Sequence, residues 1–340
     1  MKNKIITSIS NFFNKKTIIY TITLAIFIAI MLIPVDYYIT IGGGIMNLDK
    51  DIKVTNEKQK KGTINATYVI ELKGNVITYL LSYIIPSFER EKIKDVTYKK
   101  ETKENYEFRE KMYFNQSINN AIFVAYTNSN KKITTKSNDL YVIYIDEFAT
   151  TNLKIKDKIL EVDNIKINDA SQIKEIISTK NENDYVEIKV QRKNSQIITK
   201  TKIKVIDNEK RIGVYILNDY NYDVEPKIIF DFSGKQSGPS GGLMLSLSIY
   251  NKLNNTDITK GNKICGTGTI DKEGVVGEIG GIKYKLQGAK RRKCDMFLVP
   301  KENYDEAYKI IKDKNYKIKL YKVETFNDAL KILNNFLWSR

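Results

Sequence analysis

The chain of 340 residues contains no histidine. A Ser-His-Asp triad, a Cys-His pair and a His-Glu-x-x-His zinc site are therefore excluded. Cysteine occurs only twice, at Cys265 and Cys294, too few and too far apart for a structural zinc. Two small buried hydrophobes is the favoured reading of this pair, with a disulfide between them left open. No metal and no other cofactor is expected. Acidic residues are outnumbered, 40 against 56 Lys and Arg, for a net charge of +16. Such an excess suits nucleic acid, an anionic membrane or a cell-wall surface. The lysines are spread along the whole chain, without an arginine-rich, aromatic-interleaved or zinc-finger pattern, so no nucleic-acid partner is expected.

What is present is ample apolar material, 42% hydrophobic and 11% aromatic, enough for packed cores in two or three domains. The run "IIYTITLAIFIAIMLIPV" (18–35) is uncharged over 18 residues, the minimum for a membrane span. Lys2, Lys4, Lys15 and Lys16 precede it and Asp36 follows. The positive-inside rule then places a cytoplasmic N-terminus at 1–16, a transmembrane signal anchor at 17–35 and the remainder outside the cell. A cleaved signal peptide is the rival reading, but no small-x-small site follows the run.

Past the anchor, 36–115 reads as an extracytoplasmic α/β segment. It has a β-branched strand at 62–72 and an apolar helix at 75–88. The charged stretch after Phe88 reads as a solvated helix or loop, followed by a short apolar segment at 118–126. Between 137 and 205 short strands alternate around one helix, which Asp169 or Ser171 can cap. From 208 onward glycines punctuate an α/β pattern that ends in a helix at 325–337.

The stretch "QSGPSGGLMLSLSIYNKL" (236–253) sets Ser240 in a glycine-rich turn ahead of an apolar helix. The bland reading is a helix start with Ser240 as N-cap. It is no phosphate-binding Walker loop, because no Gly-Lys-Ser/Thr closes the required spacing. The functional reading is a nucleophile facing the positive helix end, with glycines admitting a substrate backbone. Without histidine, its base must be a carboxylate or a neutral, desolvated lysine. After Gly280-Gly281, residues Ile282, Leu286 and Ala289 share one helix face. Lys285 lies at the edge of that face and Lys283 slightly farther round; periodicity barely separates them.

Two resemblances sharpen this. "NLKIKDKILEVDNIKI", its helix and "DYVEIKVQRKNSQ" resemble a bacterial PDZ domain, expected at 116–207. Leu153, Asp157, Ile159, Val162 and Asp163 match the family pattern, while Lys156 and Asn164 replace its two glycines. The loop counterpart that cradles a peptide carboxylate is read at "SNDLYVI" (137–143). "SGPSGG" and "GTGTIDKEGVVGEIGGIKYK" resemble the Lon-type serine proteases, specifically the membrane-anchored, PDZ-containing, Lon-like group, with the proteolytic domain expected at 208–340. The resemblance implies an α+β, multidomain chain: a single N-terminal transmembrane helix, a β-rich PDZ-like domain and a C-terminal α/β protease. It implies Ser240 as nucleophile, Lys285 as general base and Thr267 as orienter of the lysine amine. Backbone at Gly238 and Gly241 would form the oxyanion site. Lys283 falls where the family varies. Full Lon enzymes carry an ATPase module, and this sequence has no Walker motif, so the expected activity is ATP-independent cleavage of flexible peptides or exposed segments. The alternative is a non-catalytic, membrane-anchored peptide-binding scaffold. Peptide or protein substrates, docked on the PDZ-like domain, are the expected partners. The oligomeric state is not set by the sequence.

Overall fold

A computed structural model describes residues 15–99, 101–234 and 236–335. Lys2 and Lys4, and the end of the expected final helix, lie outside the described residues; that helix runs Phe326–Asn335. The chain divides into two compact units, one of 1–42 with 69–98 and one of 43–68 with 99–340.

In the first unit the helix Lys15–Met31 has 17 residues and no buried side chain. The expected span over 17–35 is not met. Pro34 and Val35 open the strand Pro34–Asn47 instead, and among the described residues no helix is long and apolar enough to cross a membrane. Proline explains the early stop, because it lacks an amide donor and pushes the residue before it out of helical backbone. Tyr37–Ile41 pairs antiparallel with Phe88–Lys92. The helix Val76–Ile84 begins in a capping box formed by Asn75 and Thr78.

The second unit is built on parallel strands in the order Lys319–Val323, Met296–Pro300, Lys263–Gly266 and the start of Thr63–Asn75. Parallel neighbours need crossover connections, and the helices Ile282–Arg291 and Tyr304–Asp313 supply two of them. Leu243, Met244, Leu247, Ile264, Met296 and Leu298 form the centre of the core, each 0% exposed. Burying a side chain of that size contributes about 1.5–3 kcal/mol.

Two segments expected outside the protease belong to this core. Residues 63–66 pair in parallel with 263–266, and Ile52–Val54 pairs with Ile228–Phe230. The stretch read as solvated helix or loop plus a separate apolar segment is one helix of 26 residues, Lys103–Asn128. Its charges mask a buried face of Ser117, Ala121, Val124 and Ala125, in which Ser117, Ala121 and Ala125 repeat every four residues and Ala121 and Val124 every three, as on one side of a helix.

The PDZ-like sheet runs in the order Val214–Glu225, Lys132–Ile145, Lys158–Val162, Tyr185–Arg192 and Ser195–Lys202. Its helix Ala170–Ser178 is capped by Asp169 in a capping box with Gln172. The first of these strands lies past the boundary expected at 207, yet it pairs with Lys132–Ile145 along its whole length. The expected carboxylate loop at 137–143 is the middle of strand Lys132–Ile145. Lys156 and Asn164, the two glycine replacements, both hold positive φ, 79° and 65°. Asn tolerates that region and lysine is strained in it.

Cys265 and Cys294 are joined in a disulfide. This corrects the reading of two free hydrophobes; both are buried, and the link ties the end of one parallel strand to the approach of the next.

Candidate active site

Strand Lys263–Gly266 delivers the first element of the site. A Cβ on Gly266 would lie 2.6 Å from Met244 Sδ and 2.8 Å from the Leu298 carbonyl oxygen, so only glycine lets these segments approach so closely. The chain then turns at Thr267, fully buried, whose amide donates to Leu298 O at 3.1 Å.

Ser240 precedes the helix Gly242–Leu253. The N-cap is Gly241, with no side-chain cap bond, so the bland reading of Ser240 as cap does not hold. Two donors fix its carbonyl oxygen: Thr267 Oγ1 at 3.0 Å and the Gly268 amide at 2.8 Å. Upstream, Gly238 turns at φ 75° and its amide donates to Glu110 O at 3.0 Å. That amide is therefore engaged within the fold and is not an oxyanion donor. Gly238 serves as the turn former, and Gly241 remains at the helix end.

Lys285 arrives from the helix Ile282–Arg291, which starts at Gly281 with φ 68°. It is 2% exposed, and its Nζ donates to Thr267 Oγ1 at 3.1 Å. Desolvation pushes its pKa down to about 7, because burial penalises the charged amine. The Thr267 hydroxyl has one proton, which goes to Ser240 O, so toward the amine it is an acceptor. A neutral Lys285 then keeps its lone pair for another proton. Lys283, by contrast, is exposed, with its amine 5.1 Å from the Tyr284 ring centroid. Of the residues named from sequence, Ser240, Thr267 and Lys285 are drawn together and Lys283 is not.

Sequence reasoning missed the long helix as a support for this site. Besides Glu110, its Ser117 Oγ donates to Pro239 O at 3.1 Å, and its Asn120 Nδ2 donates to Ile270 O at 2.8 Å. Beside Glu110, the Arg109 guanidinium is bidentate to Glu101, at 2.8 and 2.9 Å, and also reaches Glu110 Oε1 at 3.0 Å. The helical spacing of small and apolar residues from Met112 to Ala125 was the available signal. Among the described residues no group of His, Cys, Asp or Glu side chains is placed to hold a metal ion.

In the PDZ-like part, Val214–Glu225 closes one end of the sheet. Gly213, φ 68°, stands at its head, and Lys210 Nζ, just before, donates to Ser178 O at the end of the PDZ-like helix at 2.9 Å. The strand thus lies beside that helix, with Ala170 N donating to Asn218 Oδ1 at 3.1 Å near the other end.

Residues 231–335 match the family of the Lon protease (S16) C-terminal proteolytic domain, and residues 121–203 match the PDZ domain family. The chain is 32% identical over 96 residues to the Lon protease of Clostridium beijerinckii, covering 28% of this chain and 12% of that protein. It is 29% identical over 138 residues to the Lon protease of Campylobacter jejuni, covering 39% of this chain and 17% of that protein. The chain thus spans 12% to 17% of the length of these curated relatives. Among solved structures, the PDZ domain of an SdrC-like protein from Listeria monocytogenes is 21% identical, with a TM-score of 0.22, covering 25% of this chain and 93% of that one. The corresponding domain from Listeria innocua is 24% identical, with a TM-score of 0.22, covering 23% of this chain and 92% of that one. A match to the PDZ domain family is thus followed along the chain by a match to the Lon-type C-terminal proteolytic domain, consistent with a PDZ-containing Lon-like protease.

Proposed function

We propose that the protein is an ATP-independent serine endopeptidase in which Ser240 attacks the peptide carbonyl and Lys285 accepts its proton. The observation that carries this reading is the buried Lys285 amine on the Thr267 hydroxyl, which in turn holds the Ser240 main chain. An amine with a pKa near 7 is partly neutral at physiological pH, the condition for a lysine base. Ser240 Oγ bonds to the carbonyl carbon, its proton passes to Lys285 Nζ, and the amine leaving group then takes that proton as the acyl-enzyme forms. Water repeats the sequence to release the acid. The oxyanion would lie at the helix end beside Gly241, where amide dipoles favour negative charge, the Gly242 and Leu243 amides being already given to Pro239 O and Gly268 O. No nucleotide-binding Walker motif occurs in the 340 residues, which supports cleavage without ATP.

The open edge of Val214–Glu225, beside the helix Ala170–Ser178, supports docking of an extended peptide by strand addition. Two features support a location on the outer face of the membrane. The helix Lys15–Met31 exposes apolar residues on all sides, which suits lipid. The Cys265–Cys294 disulfide suits an oxidising compartment.

The test is digestion of an unfolded protein by the full chain, its Ser240→Ala variant and its Lys285→Ala variant, with and without ATP. Cleavage by the parent alone, indifferent to ATP, is expected. Uncut substrate in all three reactions would instead favour a peptide-binding scaffold.

A further inference from the structure

The unit of 1–42 with 69–98 carries a second exposed apolar surface besides the helix Lys15–Met31. On the helix Val76–Ile84, Ile77 is 42% exposed, Leu80 48%, Tyr83 60% and Ile84 75%. Positions 77, 80 and 84 repeat at i, i+3 and i+7, so they form one stripe. Contiguous exposed apolar surface of this kind marks an interaction site rather than ordinary surface. The neighbourhood identifies the partner. The Val76 amide donates to Ile33 O at 3.0 Å, so the helix begins two residues beyond the end of the exposed apolar helix at Met31. Tyr79 and Tyr83 share a hydroxyl contact of 2.9 Å, and the Arg90 guanidinium stacks 3.8 Å over the Tyr83 ring. Lys73, Lys92 and Lys94 are exposed close by in the chain, interleaved with exposed Glu71, Glu89, Glu91 and Asp95. An apolar stripe with paired tyrosines, a stacked arginine and charged flanks of both signs fits the boundary between acyl chains and headgroups.

We propose that the helix Val76–Ile84 lies in the surface of a lipid bilayer, with Ile77, Leu80 and Ile84 toward the acyl chains and Tyr79, Tyr83 and Arg90 at the headgroups. This rests on the membrane-anchored reading of Lys15–Met31. The consequence is a unit held to the bilayer at two places rather than on one tether.

The test uses the full chain in liposomes, with Trp338→Phe removing its single tryptophan and Ile84→Trp as reporter. Lipids brominated in the acyl chain should lower the reporter's emission about two-fold relative to unbrominated ones, with a blue-shifted maximum. A chain that does not co-float with liposomes overturns the anchor reading and this proposal with it. A chain that co-floats with a red-shifted, unquenched reporter overturns this proposal and leaves the anchor standing. A blue-shifted but unquenched reporter means protein covers the stripe, a second copy for instance, and overturns it too. Adding Leu80→Asp to the reporter should restore red-shifted emission.

Discussion

The Lys272 amine lies 3.0 Å from the centroid of the Tyr220 ring, joining the protease part to the edge strand of the PDZ-like sheet. The Tyr220 hydroxyl continues the link, donating at 2.6 Å to Asp169, the cap of the PDZ-like helix. Lys272 stands in the turn between the strands Thr269–Ile270 and Val276–Gly277, a hairpin that begins two residues after Thr267. A second link runs through adjacent residues of the long helix: Asn119 donates to Asp219 at 3.0 Å and Asn120 to Ile270 O at 2.8 Å. The edge strand of the PDZ-like sheet and the segment that follows Thr267 are thereby joined through the same few contacts.

Lys272→Met should lower kcat on a short peptide several-fold, with KM little changed and the melting temperature within a few degrees. Lys272→Arg should retain activity, since a cation over an aromatic face contributes about 0.5–2 kcal/mol and arginine supplies it equally. A loss of melting temperature with unchanged kcat per folded molecule would make Lys272 structural only.

The turn that carries Ser240 was legible because its information is local: glycines, a proline and a serine within a few residues, then an apolar helix. Lys285 was legible as far as one helical face allows, and its burial separates it from Lys283 only in three dimensions. The pairing of 63–66 with 263–266 bridges about two hundred residues, and nothing in either segment names its partner. The strand Val214–Glu225 joins the PDZ-like sheet for the same kind of reason, so a boundary drawn from glycine punctuation fell inside a domain. The long helix was obscured by its charged outer face. The apolar run after Ile18 read as one element because hydropathy does not register what Pro34 does to the backbone.

Gly242→Ala should disable the enzyme and destabilise it. A Cβ there would lie 2.8 Å from Ile270 Cγ2, 2.9 Å from Ser117 Oγ and 3.0 Å from Ile270 N. Overpacking of this kind costs about 1–3 kcal/mol and displaces the turn. Gly241→Ala meets nothing nearer than 3.9 Å and should melt as the parent does. Thermal unfolding of the two variants side by side decides; equal losses would place the constraint in the turn backbone and not at position 242.

Replacing Cys265 and Cys294 by alanine together should lower stability by about 2–4 kcal/mol, as for a link closing a loop of this size; the two cysteines are 29 positions apart. Denaturant unfolding of parent and variant, each with and without reductant, provides the measurement. A parent insensitive to reductant and equal to the variant would mean the thiols are unpaired in solution.

Lys156→Gly should stabilise the PDZ-like part by about 0.5–1 kcal/mol, because lysine there holds φ 79°, which glycine adopts freely. The ion pair lost with it, to Glu104 at 2.5 Å, is exposed and contributes little. A destabilised variant would show that this pair outweighs the backbone strain.

Peptidase activity should rise with pH through about 7, following deprotonation of Lys285, whose pKa burial brings down to that value. The ammonium form cannot accept the Ser240 proton, so kcat should fall about ten-fold for each pH unit below the midpoint. Lys283→Ala should keep the profile, since that side chain is exposed; Lys285→Ala should abolish activity, and Lys285→Arg should not restore it, because a guanidinium stays charged. Stability carries the same signature. In the unfolded chain Lys285 holds its proton up to about 10.4, whereas in the fold it releases it near 7. Between those values the unfolded state binds more protons, so the contribution of Lys285 makes the fold more stable as pH rises and least stable below 7. Lys285→Met should therefore be more stable than the parent by roughly 3–5 kcal/mol at pH 6, and the gap should close toward pH 10. A gap that stays constant with pH, together with activity that falls above neutrality, would remove Lys285 from the role of base.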